Sequence, residues 1–150
     1  MLREKNIAFV PHLYPYEEHG GTKHAAETIN VPEYAVIKTL VMETEKHSPL
    51  IVLMHGDREV STKQLARVLG VKQVTPCSSE AANKYTGYLV GGISPFGTRT
   101  RMPVYTETSI FQLERIYING GKRGFLVEIS PADLRLALPI QEVEVATPGT

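Results

Sequence analysis

The chain has 150 residues, the length of one ordinary domain, and its 16 Lys and Arg are balanced by 16 Asp and Glu. This balance excludes a global basic field for nucleic acid or membranes, so any anionic partner has to be held by a local set of cations. The lone cysteine, Cys77, excludes an internal disulfide, and no signal-peptide core or run of about 18 apolar residues is visible. We therefore expect a cytoplasmic protein of one domain, residues 1–150, frayed at 1–6 and 146–150.

The apolar runs are short and rich in β-branched residues, which predicts strands. In chain order these strands fall at 35–43, 50–55, 71–75, 88–90, 102–106, 115–118, 125–129 and 142–146. Four helices opened by hydroxyl residues are predicted at 22–29, 61–70, 78–85 and 130–138. In the second helix Ser61 and Gln64 form a capping box and Gly70 is placed to end it, while Ser130 caps the fourth. The irregular order of elements favours an α+β fold, one mixed β-sheet with helices packed on it.

Two glycines interrupt the pattern in TGYLVGGISPFG, residues 86–97. Gly91 and Gly92 follow the predicted strand 88–90, and Pro95 comes shortly after them. Glycines at such a point let a ligand approach main-chain N–H groups, and a proline stiffens the loop. The segment therefore predicts a nest for an anionic oxygen or a developing oxyanion.

A charged side chain stands inside the apolar run AVIKTLVME, at Lys38. Strand alternation allows a plain explanation, in which Lys38 lies on an edge or rim and blocks aggregation. The alternative is that Lys38 and the glycine nest together form an electropositive pocket that has no side-chain nucleophile.

Other chemistries fit the sequence poorly. Ser94 in GGISPFG approaches the nucleophile-elbow pattern, but Phe96 replaces its second glycine and no histidine follows His55. The five histidines are irregularly spaced and Cys77 has no cysteine partner, so no zinc pattern is formed.

The segment NGGKRG, residues 119–124, lacks the spacing of a P-loop. It predicts a hairpin turn between two strands, with Asn119 and Gly120 at positive φ. Such a turn could still display Lys122 and Arg123 to a phosphate.

Three segments in order, AVIKTLV, TGYLVGGISPFG and RIYINGGKRG, resemble the YbaK/ProX family of aminoacyl-tRNA deacylases, which is related to the editing domain of bacterial prolyl-tRNA synthetases. The likeness runs from about Ile7 to about Leu138. It implies a mixed, partly barrel-like sheet with helices around it. It also implies hydrolysis of the ester that joins a wrong amino acid to the terminal adenosine of tRNA.

The resemblance further implies the site residues. Lys38 stands at the family's essential lysine and would orient the charged 3′ end, and the Gly91 N–H would stabilise the oxyanion. The substrate-binding residues implied or suggested are Tyr14, Thr39, Gly92, Ser94, Pro95, Asn119 and Gly120. The candidates for contact with tRNA are Arg99, Arg101, Lys122 and Arg123. Water or a ribose hydroxyl is expected to attack, with no metal and no cofactor.

The chain departs from the cysteine-directed members of the family, which are expected to carry serine where Asn119 stands and aspartate where Leu126 stands. The expected substrate is Cys- or Ala-tRNA(Pro), and the expected partners are mischarged tRNA and a synthetase, without membrane or DNA. Two alternatives stay open: a non-catalytic module that binds tRNA or a synthetase, and a hydrolase of small acyl esters.

Overall fold

The structure, a computed structural model, describes residue 2 and residues 5–148 of the chain. Within this part the α-helices are α1 (Gly21–Ile29), α2 (Thr62–Leu69), α3 (Ser79–Thr86) and α4 (Ala132–Ala137), and 3-10 helices cover Glu33–Ala35 and Thr108–Gln112. The strands are β1 (Val10–Leu13), β2 (Val36–Thr44), β3 (Pro49–His55), β4 (Arg58–Val60), β5 (Val74–Pro76), β6 (Val104–Glu107), β7 (Ile116–Lys122), β8 (Phe125–Ile129), β9 (Ile140–Val143) and β10 (Ala146–Pro148).

The strands form a mixed sheet, which confirms the α+β class. Its order is β1-β8-β7-β2-β3-β6-β9, with β5 also paired to β2, and β10 pairs separately with β4. The pairs β2–β7, β3–β6 and β6–β9 are parallel, and the others are antiparallel. Among the described residues the path is open, because β1 and β9 end it without pairing to each other. Over the same residues we find no helix with the length and apolar content needed to span a bilayer.

The core lies on both faces of the sheet, as the continuous apolar character of β3 requires. Ile51 and Leu53 belong to one buried cluster, which includes Ala82 of α3 and Leu134 of α4. The alternate residues of β3 belong to a second cluster on the opposite face, which includes Leu65 of α2. Both faces of β3 are therefore covered, and the clefts of the molecule have to lie at its margins or at gaps between strands.

The predicted hydroxyl caps are borne out in α2 and α3, at Ser61 and Ser78, but not in α1, which begins at Gly21 without a side-chain cap, or in α4. The Ser61 hydroxyl accepts a hydrogen bond from the Gln64 N–H at 3.2 Å, and Gly70 ends α2 at φ 70°. In α4 the cap is supplied from the other direction, because the Asp133 carboxylate accepts the Ser130 N–H at 3.2 Å. The expected cap by the Ser130 hydroxyl is therefore not formed, and the Asp133 side chain bonds the Ser130 backbone instead.

The strand predicted at 88–90 is wrong. These residues lie in a loop that follows α3, where the Tyr88 N–H donates to the Thr86 hydroxyl at 3.1 Å and the Tyr88 hydroxyl donates to the Phe96 carbonyl. Local hydrogen bonds thus take the place of a sheet ladder. The paired glycines stand within a long loop and not at the end of a strand.

The hairpin predicted around NGGKRG is present between β7 and β8, but its turn is shifted. Positive φ values occur at Gly121 (113°) and Gly124 (76°), and not at Asn119 or Gly120. The register slips between Asn119 and Lys122, so a bulge precedes the turn.

The chain ends also differ from expectation where they are described. Leu2 is buried, and β10 pairs antiparallel with β4 through Ala146 and Val60. Fraying is therefore wrong for these residues, while 1, 3, 4, 149 and 150 lie outside the described part of the chain.

Candidate active site

A gap in the pairing of β2 creates the candidate site. On the side away from β3, β2 pairs with β7 at Val36 and Ile37 and with β5 from Met42 onward. The edge between these contacts is open, and the seven consecutive residues 36–42 line one cleft of about 680 Å³. Lys38 therefore lies on a strand inside the sheet, at a place where one edge of that strand is open.

Lys38 is held at this opening. Its ammonium lies 3.4 Å from the Glu59 carboxylate, and its side chain is 18 % exposed. Glu59 is 67 % exposed, so the ion pair is solvated on one side and can be exchanged for a substrate anion at small cost. Lys38 thus supplies a cation that is confined within the cleft, and over residues 2 and 5–148 its carboxylate partner is the solvent-exposed Glu59.

Thr39 presents polar groups to the same opening. The Val36 carbonyl accepts from Gly56 on the β3 side, whereas the Val41 carbonyl accepts from Cys77 on the other side. Strand alternation gives the Thr39 N–H and C=O the same direction as the Val41 carbonyl, towards the open edge. The Thr39 hydroxyl oxygen is buried without a hydrogen-bond partner among the described residues. A bound substrate could satisfy these groups.

Gly91 reaches the cleft from the loop after α3. It adopts φ 93°, and a Cβ atom there would lie 2.7 Å from the Tyr16 hydroxyl oxygen. Only glycine fits both the backbone angle and the space. No hydrogen bond from the Gly91 N–H is found within the described residues, so this donor is free to receive an oxyanion.

The hairpin between β7 and β8 holds the Gly91 loop in place. The side-chain nitrogen of Asn119 donates to the Gly91 carbonyl at 3.3 Å and to the Lys122 carbonyl at 3.0 Å, and its oxygen accepts the Gly121 N–H at 2.6 Å. Asn119 lines the cleft, but both of its N–H donors are used within the protein. Its observed contacts therefore orient the loop and leave no donor for substrate.

Tyr14 lines the cleft as the resemblance implied. Its N–H donates to the Gly124 carbonyl at 2.9 Å, and its ring meets that of His24 edge-on at 5.8 Å. Burial, and to a lesser extent the neighbouring Tyr16, raises the pKa of the Tyr14 phenol. Tyr14 therefore stays a neutral hydrogen-bond donor at physiological pH.

Four residues suggested as substrate contacts do not line this cleft: Gly92, Ser94, Pro95 and Gly120. Ser94 is fully buried, and its hydroxyl accepts the Phe96 N–H at 3.1 Å. A Cβ atom on Gly92 would lie 2.7 Å from the backbone nitrogen of Arg123, so this glycine permits close packing against the hairpin. Ser94 and Gly92 shape the loop from behind, because packing occupies the space where substrate would have to lie.

The basic residues divide into two groups. Arg99 and Arg101 line a separate groove of about 480 Å³ together with Lys5 and Pro95. Lys122 is exposed at the end of β7. Arg123 instead lines the main cleft, where its guanidinium donates from Nε to the Val90 carbonyl at 2.9 Å and lies 5.0 Å from the centre of the Tyr16 ring.

Cys77 also lines the cleft, but burial, with a smaller contribution from Glu43, raises the pKa of its thiol to about 11. A thiol that stays protonated is a poor nucleophile. Among the described residues no cluster of three or more His, Cys, Asp or Glu side chains is arranged to hold a metal ion. The side chains of Lys38 and Arg123 bring positive charge to this cleft.

Sequence reasoning missed Tyr16 and Glu59. Tyr16 closes over Gly91, and Glu59 pairs with Lys38 from the short strand β4. The segment HLYPY contains two tyrosines, Tyr14 and Tyr16, and only Tyr14 was predicted to belong to the site. No local pattern links Glu59 to Lys38, 21 residues earlier.

Comparisons with known proteins agree with this architecture. Residues 17–136 match the aminoacyl-tRNA editing domain. The chain is 30% identical over 148 residues to the Enterococcus faecalis protein named "Putative Cys-tRNA(Pro)/Cys-tRNA(Cys) deacylase EbsC", covering 98% of this chain and 90% of that one. It is 31% identical over 106 residues to the proline–tRNA ligase of Thermodesulfovibrio yellowstonii, covering 71% of this chain and 18% of the ligase.

A solved structure shares the fold. The protein described as "a putative trans-editing enzyme for prolyl tRNA synthetase" superimposes with a TM-score of 0.84, covering 97% of this chain and 92% of that one at 21% identity. The matched domain covers most of the chain, and the similarity to the Enterococcus protein extends over nearly all of both chains. This chain belongs to the aminoacyl-tRNA editing domain family.

Proposed function

We propose that this protein is a trans-editing aminoacyl-tRNA deacylase, which hydrolyses the ester of a mischarged tRNA in the cytoplasm. One observation carries the proposal: Lys38 and Gly91, which come from distant parts of the chain, both line a single cleft. An ester substrate needs a donor for its carbonyl oxygen and a group that holds its anionic end. The cleft offers one of each.

The reaction follows from these groups. Water attacks the ester carbonyl and gives up a proton, and negative charge develops on the carbonyl oxygen. If the neighbouring ribose hydroxyl of the terminal adenosine attacks first, the acyl group only moves to that oxygen, and water then has to attack the new ester. The Gly91 N–H stabilises that charge, an effect of about 3–4 kcal/mol for one such donor. The C–O bond to the ribose then breaks, the ribose oxygen takes a proton, and the amino acid leaves with its carboxylate. Lys38 binds the phosphate of the 3′ end, so correct positioning supplies much of the rate.

The substrate side chain would meet an apolar surface. Leu126, which stands where cysteine-directed relatives are expected to carry aspartate, is 4% exposed and packs with Ala25, Ala26 and Val36. This surface favours a small uncharged side chain, such as that of alanine or cysteine charged in error to tRNA(Pro). One methylene changes binding in such a pocket by only about 1–3 kcal/mol, so the two amino acids differ modestly in affinity.

The tRNA body is expected to lie along the second groove. Lys5, Arg99 and Arg101 line this groove, and none of the described residues that line it carries a carboxylate. The balanced net charge of the chain gives no global attraction for RNA, so these local cations would carry the salt-dependent part of tRNA binding. A synthetase that hands over the tRNA is a further expected partner.

A panel of mischarged tRNAs tests the proposal. Alanyl- and cysteinyl-tRNA(Pro), together with correctly charged Pro-tRNA(Pro), are incubated with the wild type, with Lys38→Ala and with the control Lys72→Ala. Lys72 is an exposed lysine away from the cleft, and its backbone N–H is bonded to Glu45. We expect the wild type and the control to release one mischarged amino acid, and Lys38→Ala to release it at least 100-fold more slowly.

The outcomes separate the alternatives. Binding of tRNA by the wild type without release of any amino acid would sink the enzymatic proposal and favour the binding module. Equal cleavage of a short aminoacyl-nucleotide ester and of the full tRNA would favour a hydrolase of small acyl esters.

A further inference from the structure

Arg123 contacts the Gly91 loop at the Val90–Gly91 peptide, whose N–H is the proposed oxyanion donor. Its Nε donates to the Val90 carbonyl at 2.9 Å, across 33 positions of sequence. The guanidinium is held by the Tyr16 ring, 5.0 Å from its centre, and Tyr16 in turn lies against Gly91. The contact therefore joins three segments of chain at the mouth of the cleft.

By bonding the Val90 carbonyl, Arg123 also restricts the Gly91 N–H, because both groups belong to one peptide unit. Val90 and Gly91 share one planar peptide, in which the C=O of Val90 and the N–H of Gly91 point in opposite directions because the bond is trans. A side chain that fixes the carbonyl therefore also fixes the direction of the N–H. Asn119 holds the next peptide through the Gly91 carbonyl, so both peptides that flank Gly91 are tied to the hairpin.

We propose that Arg123 is a positioning residue, which holds the Val90–Gly91 peptide so that its N–H stays aimed into the cleft. The proposal rests on the proposed function, because it assumes that this N–H receives the oxyanion. It replaces the expectation that Arg123 binds a tRNA phosphate. An arginine suits the role, since its planar guanidinium can lie over an aromatic ring and still donate in a fixed direction, whereas the ammonium of lysine cannot do both in the same way.

The first measurement needs no substrate. Backbone 15N relaxation and residual dipolar couplings report the mobility and orientation of the Gly91 N–H in the wild type, Arg123→Gln and Arg123→Lys, with Arg67→Gln as the matched control. Arg67 is exposed on α2, on the other side of the sheet from α3. We expect the order parameter of Gly91 to fall from the rigid range, about 0.85, to below about 0.6 in Arg123→Gln, and to stay unchanged in the control.

The second measurement is single-turnover deacylation with tRNA binding measured in parallel. Arg123→Gln should lower the rate constant at saturation by about 10- to 100-fold, because the donor is misaligned. The KM and the tRNA dissociation constant should stay within about twofold of the wild type, and Arg123→Lys should recover part of the rate.

The two measurements distinguish a positioning role of Arg123 from a phosphate contact. A weaker tRNA affinity and a smaller salt dependence in Arg123→Gln, with the Gly91 signals unchanged, would overturn the proposal in favour of a phosphate contact. If the wild type releases no amino acid from any tRNA, the proposed function fails, while the Gly91 order parameter still shows whether Arg123 holds the peptide. An unchanged order parameter in Arg123→Gln overturns the positioning role regardless of activity.

Discussion

Replacing Gly91 by alanine tests the oxyanion donor most directly. The new Cβ atom would lie 2.7 Å from the hydroxyl oxygen and 2.9 Å from Cε1 of Tyr16, both closer than van der Waals contact allows. Tyr16 is partly exposed, so its ring can move away, but the loop and the Arg123 stack then move with it. In addition, alanine at φ 93° carries backbone strain of about 1–3 kcal/mol.

The expected effect on the rate is larger than the effect on stability. Alanine keeps the backbone N–H but displaces it, and full misalignment of one oxyanion donor lowers the rate of an acyl transfer by up to about 10²–10³-fold. The folded state should lose about 1–3 kcal/mol, which a loop in a stable domain tolerates. The assay is single-turnover deacylation of mischarged tRNA beside urea unfolding of the same samples.

Gly70→Ala supplies the matched control. Gly70 also has positive φ, 70°, but a Cβ atom there would have nothing within 4 Å. It ends α2, away from the cleft. This variant should lose about 1–2 kcal/mol of stability and keep the wild-type rate. If folded Gly91→Ala deacylates tRNA as fast as Gly70→Ala, the reaction does not depend on the backbone conformation that places the Gly91 N–H, and our mechanism is wrong.

Three further predictions concern titration and RNA binding. Burial lowers the pKa of His55 in the folded chain, so the unfolded chain binds more protons between the two pKa values. The urea midpoint should therefore fall as the pH drops below about 6.5. His55→Gln should flatten this dependence on pH, and the exposed control His47→Gln should not. Cys77, with its pKa raised to about 11, should react slowly with iodoacetamide at pH 7.5 and faster only as the pH approaches 11, so rapid alkylation at pH 7.5 would contradict the buried thiol. Arg99→Gln and Arg101→Gln should each weaken tRNA binding and reduce its salt slope by about one, and an unchanged slope would remove the second groove from the RNA interface.

The strands and helices that rest on local patterns were predictable. The central strands β2 and β3 follow from continuous apolar runs, and α2 follows from a capping box that the structure contains. The strand predicted at 71–75 was only partly right, because the N–H groups of Lys72 and Gln73 donate to the Glu45 carboxylate and pairing begins at Val74. A contact 27 residues away gives no local signal.

The sequence singled out two residues that line the candidate site, but not the side chains that contact them. Lys38 stood out because a charge inside an apolar strand needs a reason, and Gly91 stood out because a glycine pair breaks a β-rich pattern. The side chains that fix them, Glu59 and Arg123, look like ordinary surface charges in the sequence. Their roles depend on contacts across 21 and 33 residues, which only the folded chain creates.

The two departures from the cysteine-directed relatives also have different physical meanings. Asn119 and Leu126 are direct partners on β7 and β8, so they seemed to define one altered substrate pocket. In the structure, the amide donors of Asn119 are bonded to the Gly91 and Lys122 carbonyls, so this residue holds the loop that carries the proposed oxyanion donor. Leu126 is buried among apolar side chains, so it acts on the substrate only by excluding polar groups. The change at 119 is therefore compatible with the proposed catalysis, and under that proposal the apolar surface around 126 selects the amino acid.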